Sequence, residues 1–170
     1  MSQTSRMAVE VKKQIDRVRV QIVSKANLTV SATVGVMGKE AARIAELAAM
    51  YAPHKTGLLD GSTGAKSFLV ERQDGGRGQV GFVVKLNLRK WKMVSGKRVN
   101  LSDYAWRIHS GYKWDTLGEK SKEKARSLGL AINPTFDGKY VGRLFLSRAA
   151  NQRSRAIDYY LKRAVKEALD

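Results

Sequence analysis

The chain has 170 residues, with 32 Lys and Arg against 15 Asp and Glu for a formal net charge of +17, and it has no cysteine. These figures fit one globular domain able to bury a core, and they exclude disulfides, thiol catalysis, iron–sulfur clusters and cysteine-built zinc sites. Two histidines are too few for a histidine-built metal site, no run of about 18 uncharged apolar residues exists to cross a membrane, and Met1 to Arg6 leads into mixed charge, not an apolar signal core.

Taken in order, Val11, Ile15, Val18 and Ile22 recur at steps of four, three and four, the spacing of one helix face. A second stripe follows in Val30, Val34, Met37, Ala41, Ile44, Ala45 and Ala48. The spacing predicts helix from about Val9 to Tyr51, as one long element or two. The weak stretch is Asn27 to Thr33, rich in β-branched residues, with Gly35 and Gly38 each costing about 1 kcal/mol of helix propensity. Pro53 is expected to end the helix, because the residue before proline is pushed out of the α region. Residues 1–30 are a candidate helical arm, and a helix this long needs a sheet, a second helix or a neighbouring subunit to cover its stripe.

Residues 56–64 read as loop, 65–73 as a strand, and Asp74 to Gly78 as a hairpin connection. Residues 79–87 form the clearest strand, with Val80, Phe82, Val84 and Leu86 on one face. A second hairpin is expected over Lys90 to Leu101, turning at Ser95-Gly96-Lys97, and a short alternation follows at Tyr104, Trp106 and Ile108. Residues 112–140 read as a long loop insertion in which Gly118 to Arg126 holds an exposed helical turn or two. A strong helix from about Arg143 to Leu169 closes the chain. The expected class is α+β: a long N-terminal helix (or two), an antiparallel β-sheet with long loops, and a long C-terminal helix packed on the sheet, in a single domain over 1–170.

The charge is uneven. Residues 1–84 hold 12 basic and 7 acidic side chains, and residues 85–170 hold 20 and 8. The densest run places Lys85, Arg89, Lys90, Lys92, Lys97 and Arg98 around Trp91 with no acid among them. Cations interleaved with an aromatic can hold phosphates and stack a base; a solvated hairpin tip on a basic protein explains the same run. No helix-turn-helix or zinc-finger pattern is present to read a base sequence.

Catalytic patterns are missing. Gly38-Lys39 lacks the spacing and the following Ser or Thr of a phosphate loop, and Gly61-Ser62-Thr63-Gly64 is not a nucleophile elbow. His109 beside Ser110 and Gly111 could in principle act as a base, but a turn histidine bonded to backbone is the favoured reading. Asp60, Glu71, Asp103 and Asp115 show no paired spacing. The chain is expected not to be an enzyme, with no catalytic residues, cofactor or metal.

Three segments carry a resemblance. Ala52-Pro53-His54-Lys55-Thr56-Gly57-Leu58-Leu59-Asp60-Gly61-Ser62 follows the first helix, Tyr104-Ala105-Trp106-Arg107-Ile108-His109-Ser110-Gly111 follows the strands, and Leu144-Phe145-Leu146-Ser147-Arg148-Ala149 opens the last helix. In that order they resemble the tail-completion or head–tail joining family of tailed bacteriophages (minor tail, gene-product-ten-like proteins). That family's Pro-x-x-Thr-Gly-x-Leu-x-x-Ser motif matches at Pro53, Thr56, Gly57, Leu58 and Ser62. Its Tyr-Ala segment ending near a glycine matches at Tyr104, Ala105 and Gly111, and its Phe-Leu-x-x-Ala helix start at Phe145, Leu146 and Ala149. The chain departs from the family at His109, where an acid is usual, at Leu144, where proline is usual, and in the length of 112–140. Each motif also reads physically: Pro53 stops a helix, Thr56-Gly57 turns, Leu58 re-enters the core, Ser62 bonds local backbone, and Phe145 with Leu146 anchors the last helix to the sheet.

The resemblance implies a virion protein of the neck or upper tail, assembled in the host bacterial cytoplasm. It implies a homo-oligomeric ring, six-fold in most of the family, around viral DNA held without sequence specificity. Expected partners are the head–tail connector or adaptor and the tail terminator or tail tube, with no membrane. Candidate contacts with the DNA channel or with neighbouring rings are Lys85, Arg89, Lys90, Trp91, Lys92, Lys97 and Arg98, and then Lys113, Lys120, Lys122, Lys124 and Arg126. The alternative is a non-sequence-specific nucleic-acid-binding protein.

Overall fold

A computed structural model describes residues 3–54, 59, 66–76, 79–87, 89–100 and 117–170, with side chains from residue 12 onward apart from those of Lys92 and Val94. The fold is α+β. Helix α1 spans Gln3–Tyr51, strand β1 Phe68–Asp74, β2 Val80–Leu86, β3 Trp91–Val94, β4 Lys97–Asn100, helix α2 Glu119–Ser127 and helix α3 Phe145–Leu169.

α1 is one continuous helix. It continues through the β-branched stretch, where Thr29 Oγ1 donates to the Lys25 carbonyl and Thr33 Oγ1 to those of Thr29 and Val30, all at 2.9 Å. These hydroxyls bond back into their own helix, where they would otherwise compete with it. The helix stops two residues before Pro53, which is itself fully buried.

The strands form two separate antiparallel hairpins where one sheet was expected. β1 pairs with β2 from Phe68↔Leu86 to Asp74↔Val80, and β3 pairs with β4 from Trp91↔Asn100 to Val94↔Lys97. The second hairpin turns at Ser95 and Gly96, both at positive φ (50° and 77°), the conformation a two-residue turn needs to match strand twist. α1 lies on β1 and β2. A Cβ added at Gly38 would sit 3.2 Å from the Phe82 ring, so glycine there lets helix and strand close together.

The expectation that the last helix packs on the sheet is corrected. α3 runs antiparallel along α1, from Tyr51, whose hydroxyl donates to Gln152 Oε1, to Lys25, whose Nζ donates to the Leu169 carbonyl at 2.5 Å. It meets β1 at its first residue, where Phe145 stands edge-on to Phe68 with ring centroids 5.8 Å apart. Apolar Ala149 and Ala164 face α1 more closely than bulkier residues could. The main core gathers Ala48, Tyr51, Ala52, Leu59, Phe68, Phe145 and Ala149 where α1, β1 and α3 converge. A smaller cluster of Leu117, Ala125 and Val141 lies under α2.

α2 is longer and better buried than an exposed turn or two. The four-residue step from Ser121 to Ala125 forms its inner face. Ser121 Oγ accepts from the His54 backbone N–H at 3.0 Å, tying the helix to the segment just after α1.

Candidate functional site

The basic run from Lys85 to Arg98 does not form one surface. Lys85 is exposed on β2 and ion-paired with Glu71 across the β1–β2 hairpin. Lys90 is 5% exposed and donates to Ser67 Oγ at 2.9 Å, so it clamps the start of β3 to the start of β1 and presents no charge for a partner to reach. The remaining members collect on the β3–β4 hairpin. Trp91 and Met93, two residues apart on one strand, are both about half exposed. The Arg98 guanidinium lies 4.5 Å from the centre of the Trp91 ring. Arg89 and Lys97 are exposed at its base and turn, and Lys92 lies on β3 with its side chain outside the described residues. An open indole with a cation stacked on one face is suited to stack a base or planar group and to bind anions.

The second candidate set divides as well. On α2, Lys122 and Arg126 both pair with Glu119, at 3.4 and 3.2 Å, and are substantially exposed, as is Lys120. Such surface pairs contribute little to stability. Lys124 turns inward and donates to the Ala49 and Ala52 carbonyls at 2.7 Å each. It places an ammonium at the carbonyl end of α1, where the last carbonyls lack intrahelical donors and the helix dipole is negative. Lys124 is therefore a cap within the fold. Lys124→Met is expected to destabilise the protein by about 1–2 kcal/mol in urea unfolding, whereas Lys122→Met should stay within about 0.5 kcal/mol.

Of the family-motif residues, Pro53, Phe145 and Ala149 are buried in the core and Leu146 packs half-buried against it. Thr56, Gly57, Leu58, Ser62, Tyr104, Ala105, Gly111, Lys113 and His109 lie outside the described residues. So do Asp60, Asp103 and Asp115; Leu59, next to the expected Leu58, is buried in the core.

Two polar centres, one buried and one half-buried, were not singled out from sequence. Glu40 is 2% exposed and sits between two helices. Its Oε1 accepts from Arg43 at 2.5 Å and its Oε2 from Arg153 of α3 at 2.6 Å. The same contact holds the Arg43 guanidinium above its ordinary pKa. Arg148 is the second. Its guanidinium donates to the carbonyls of Gly138 (2.5 Å), Tyr140 (2.6 Å), Arg143 (3.0 Å) and Gly142 (3.4 Å). It lies 3.6 Å from the Tyr140 ring centre and 5.0 Å from that of Tyr51. Burial pulls the Arg148 pKa below its ordinary value, against the two tyrosines. Burial likewise raises that of Tyr51, opposed by its bond to Gln152 and by the Arg148 charge. Both centres tie elements of the fold together.

Among the described residues no group of three or more His, Cys, Asp or Glu is placed to hold a metal ion, and no helix is long and apolar enough to cross a membrane. A groove between α1 and β1, lined by Ala42, Ala45, Ala49 and Phe68, carries Glu46 and Lys66 at its rim with no convergent catalytic set. No protein-family model matches the chain, and searches of curated proteins and of solved structures return no match.

Proposed function

We propose that the chain is a structural subunit of the neck or upper tail of a tailed bacteriophage, one copy of a ring that completes the tail or joins head to tail around the DNA channel. The order of the three motifs is the first support for this reading. The observation that carries it furthest in the structure is the first half of α1, which leaves the folded body as a bare helix with Ile15, Val18 and Ile22 more than half exposed. A helix of this kind buries its stripe only against a neighbour, as a subunit made for assembly requires. The work is binding, not chemistry. The exposed cations on the β3–β4 hairpin and on α2 would meet DNA phosphates or acidic faces of adjoining rings. Electron microscopy and mass spectrometry of purified virions test the assignment: the expected result is a ring of this chain at the portal-proximal end of the tail, and its absence from virions would rule the assignment out.

The second reading, a nucleic-acid-binding protein acting outside a virion, is favoured by the Trp91–Arg98 stack on an exposed basic hairpin. It predicts that the isolated chain shifts duplex and single-stranded DNA alike, with affinity falling steeply as salt rises. Trp91→Ala with Arg98→Ala should weaken single-strand binding at least tenfold, since stacking contributes about 1–3 kcal/mol per base. Unchanged binding would remove the hairpin from consideration.

A further inference from the structure

α3 ends beside Lys25, where the Leu169 carbonyl receives the lysine ammonium. Residues 3–24 of α1 continue past that point as about 33 Å of helix. At 3.6 residues per turn, Val11, Ile15, Val18 and Ile22 fall in the sector of α1 that also holds Lys25, Glu40 and Tyr51, each of them bonded to α3. The groove that α3 fills along the body therefore runs on, unfilled by described residues, as an apolar strip 53–64% exposed at Ile15, Val18 and Ile22.

The strip keeps a heptad register. Ala8, Ile15 and Ile22 occupy a positions and Val11 and Val18 d positions, which places Lys12 and Arg19 at e, Gln14 and Gln21 at g. These flanks decide the partner's direction. Antiparallel arms would set Lys12 against Arg19 of the other copy twice along one flank, like charge against like. Parallel arms set Gln14 against Arg19, and an amide oxygen accepts from a guanidinium. β-Branched residues at both a and d favour three or more strands over two. Val20 and Val23 are also exposed, on the far side of the arm, and a helix apolar on two sides suits a bundle in which each strand has two neighbours.

We propose that residues 8–22 of α1 associate in parallel and in register with the same segment of other copies of this chain, in bundles of at least three. This goes beyond the neck assignment and does not depend on it, because arms would join in the purified chain with no virion present. The segment carries Lys12, Lys13, Arg17 and Arg19 against Glu10 and Asp16, so added salt screens the mutual repulsion and tightens the bundle. Binding through phosphates would respond in the opposite sense.

The native absence of cysteine makes the test direct. Single substitutions Ile15→Cys, Ile22→Cys and Arg17→Cys are made in the full chain and oxidised mildly after nuclease treatment. Parallel in-register arms cross-link Ile15→Cys and Ile22→Cys to themselves, and Arg17→Cys, on the outer face, at least tenfold less. Antiparallel arms would instead link Ile22→Cys to Val11→Cys in a mixture and not to itself, which overturns the proposal, as does equal cross-linking at all three positions or none at any. Sedimentation provides the second measurement: Ile15→Asp with Ile22→Asp should reduce trimers or larger species to monomer with an unchanged thermal midpoint, since both residues lie outside the folded body. A chain that is monomeric before substitution overturns the proposal. Cross-linking by a chain missing from virions would defeat the neck assignment and leave the arm contact standing.

Discussion

Arg148→Ala is expected to destabilise the protein by about 3 kcal/mol, lowering the thermal midpoint by roughly 6–12 °C for a domain of this size. The reason lies in how many things one guanidinium does. The chain from Gly138 to Arg143 must bend sharply to bring Val141 into the core beneath α2 and then start α3, and its carbonyls turn inward as it does so. Four of them, at Gly138, Tyr140, Gly142 and Arg143, take Arg148 as donor. A carbonyl left without a donor in a half-buried place costs about 1–3 kcal/mol, and the stack on Tyr140 is lost as well. The planar five-donor fork is essential, since a lysine ammonium is a single point with three donors. Arg148→Lys should therefore recover less than half of the loss, and Arg143→Ala, which removes an exposed side chain but keeps the carbonyl, should change stability by no more than about 0.5 kcal/mol. Full recovery by the Lys substitution would show that charge alone matters. Calorimetry of the three variants decides this.

The periodic elements were readable from spacing because each follows from neighbouring residues alone. The stripes of α1, the alternation at Val80, Phe82, Val84 and Leu86, the turn at Ser95-Gly96 and the stop at Pro53 each express a local rule. What could not be read depends on which side chain finds a partner far along the chain. Lys120, Lys122 and Lys124 are alike in sequence, yet only the third meets the carbonyl end of α1. The signal was present in Ser121 and Ala125, small residues four apart within a charged run, which mark the inner face and place Lys124 at its border. Lys90 looked like part of a basic run because its partner, Ser67, lies 23 residues earlier. α3 was expected on the sheet because its apolar positions do not say what they face; the small residues Ala149 and Ala164 were the hint that another helix lies against it. The DNA-contact and partner-contact reading rests on residues that the fold now sorts: Arg89, Trp91, Lys97, Arg98, Lys120, Lys122 and Arg126 remain on the surface, while Lys90 and Lys124 belong to the interior framework.

Glu40→Ala is expected to cost about 3–4 kcal/mol, because it leaves the Arg153 guanidinium, less than a quarter exposed, without its carboxylate. Both Arg153 nitrogens, Nε and Nη2, address the same oxygen, Oε2, while Arg43 takes the other. Both carboxylate oxygens are thus engaged, one from each helix, a geometry suited to set how far α3 slides along α1 and how it is rotated. A buried ion pair need not stabilise relative to a well-packed apolar pair. Hence Glu40→Leu combined with Arg153→Met should regain most of the stability that Glu40→Ala loses, and Glu40→Gln, which keeps the shape and one acceptor, should fall between. The double variant separates stability from alignment. If the pair sets register, the variant melts near the native midpoint but holds α3 less precisely, and hydrogen exchange should rise selectively in residues 157–169, beyond the main core at Ala149 and toward the root of the arm. If exchange there is unchanged, the alignment of the two helices comes from packing alone. The outcome bears on assembly, because the strip offered by Ile15, Val18 and Ile22 is aimed by the same helix that Glu40 locks to α3. A subunit whose arm must meet several others at a common angle depends on that lock more than its own stability does.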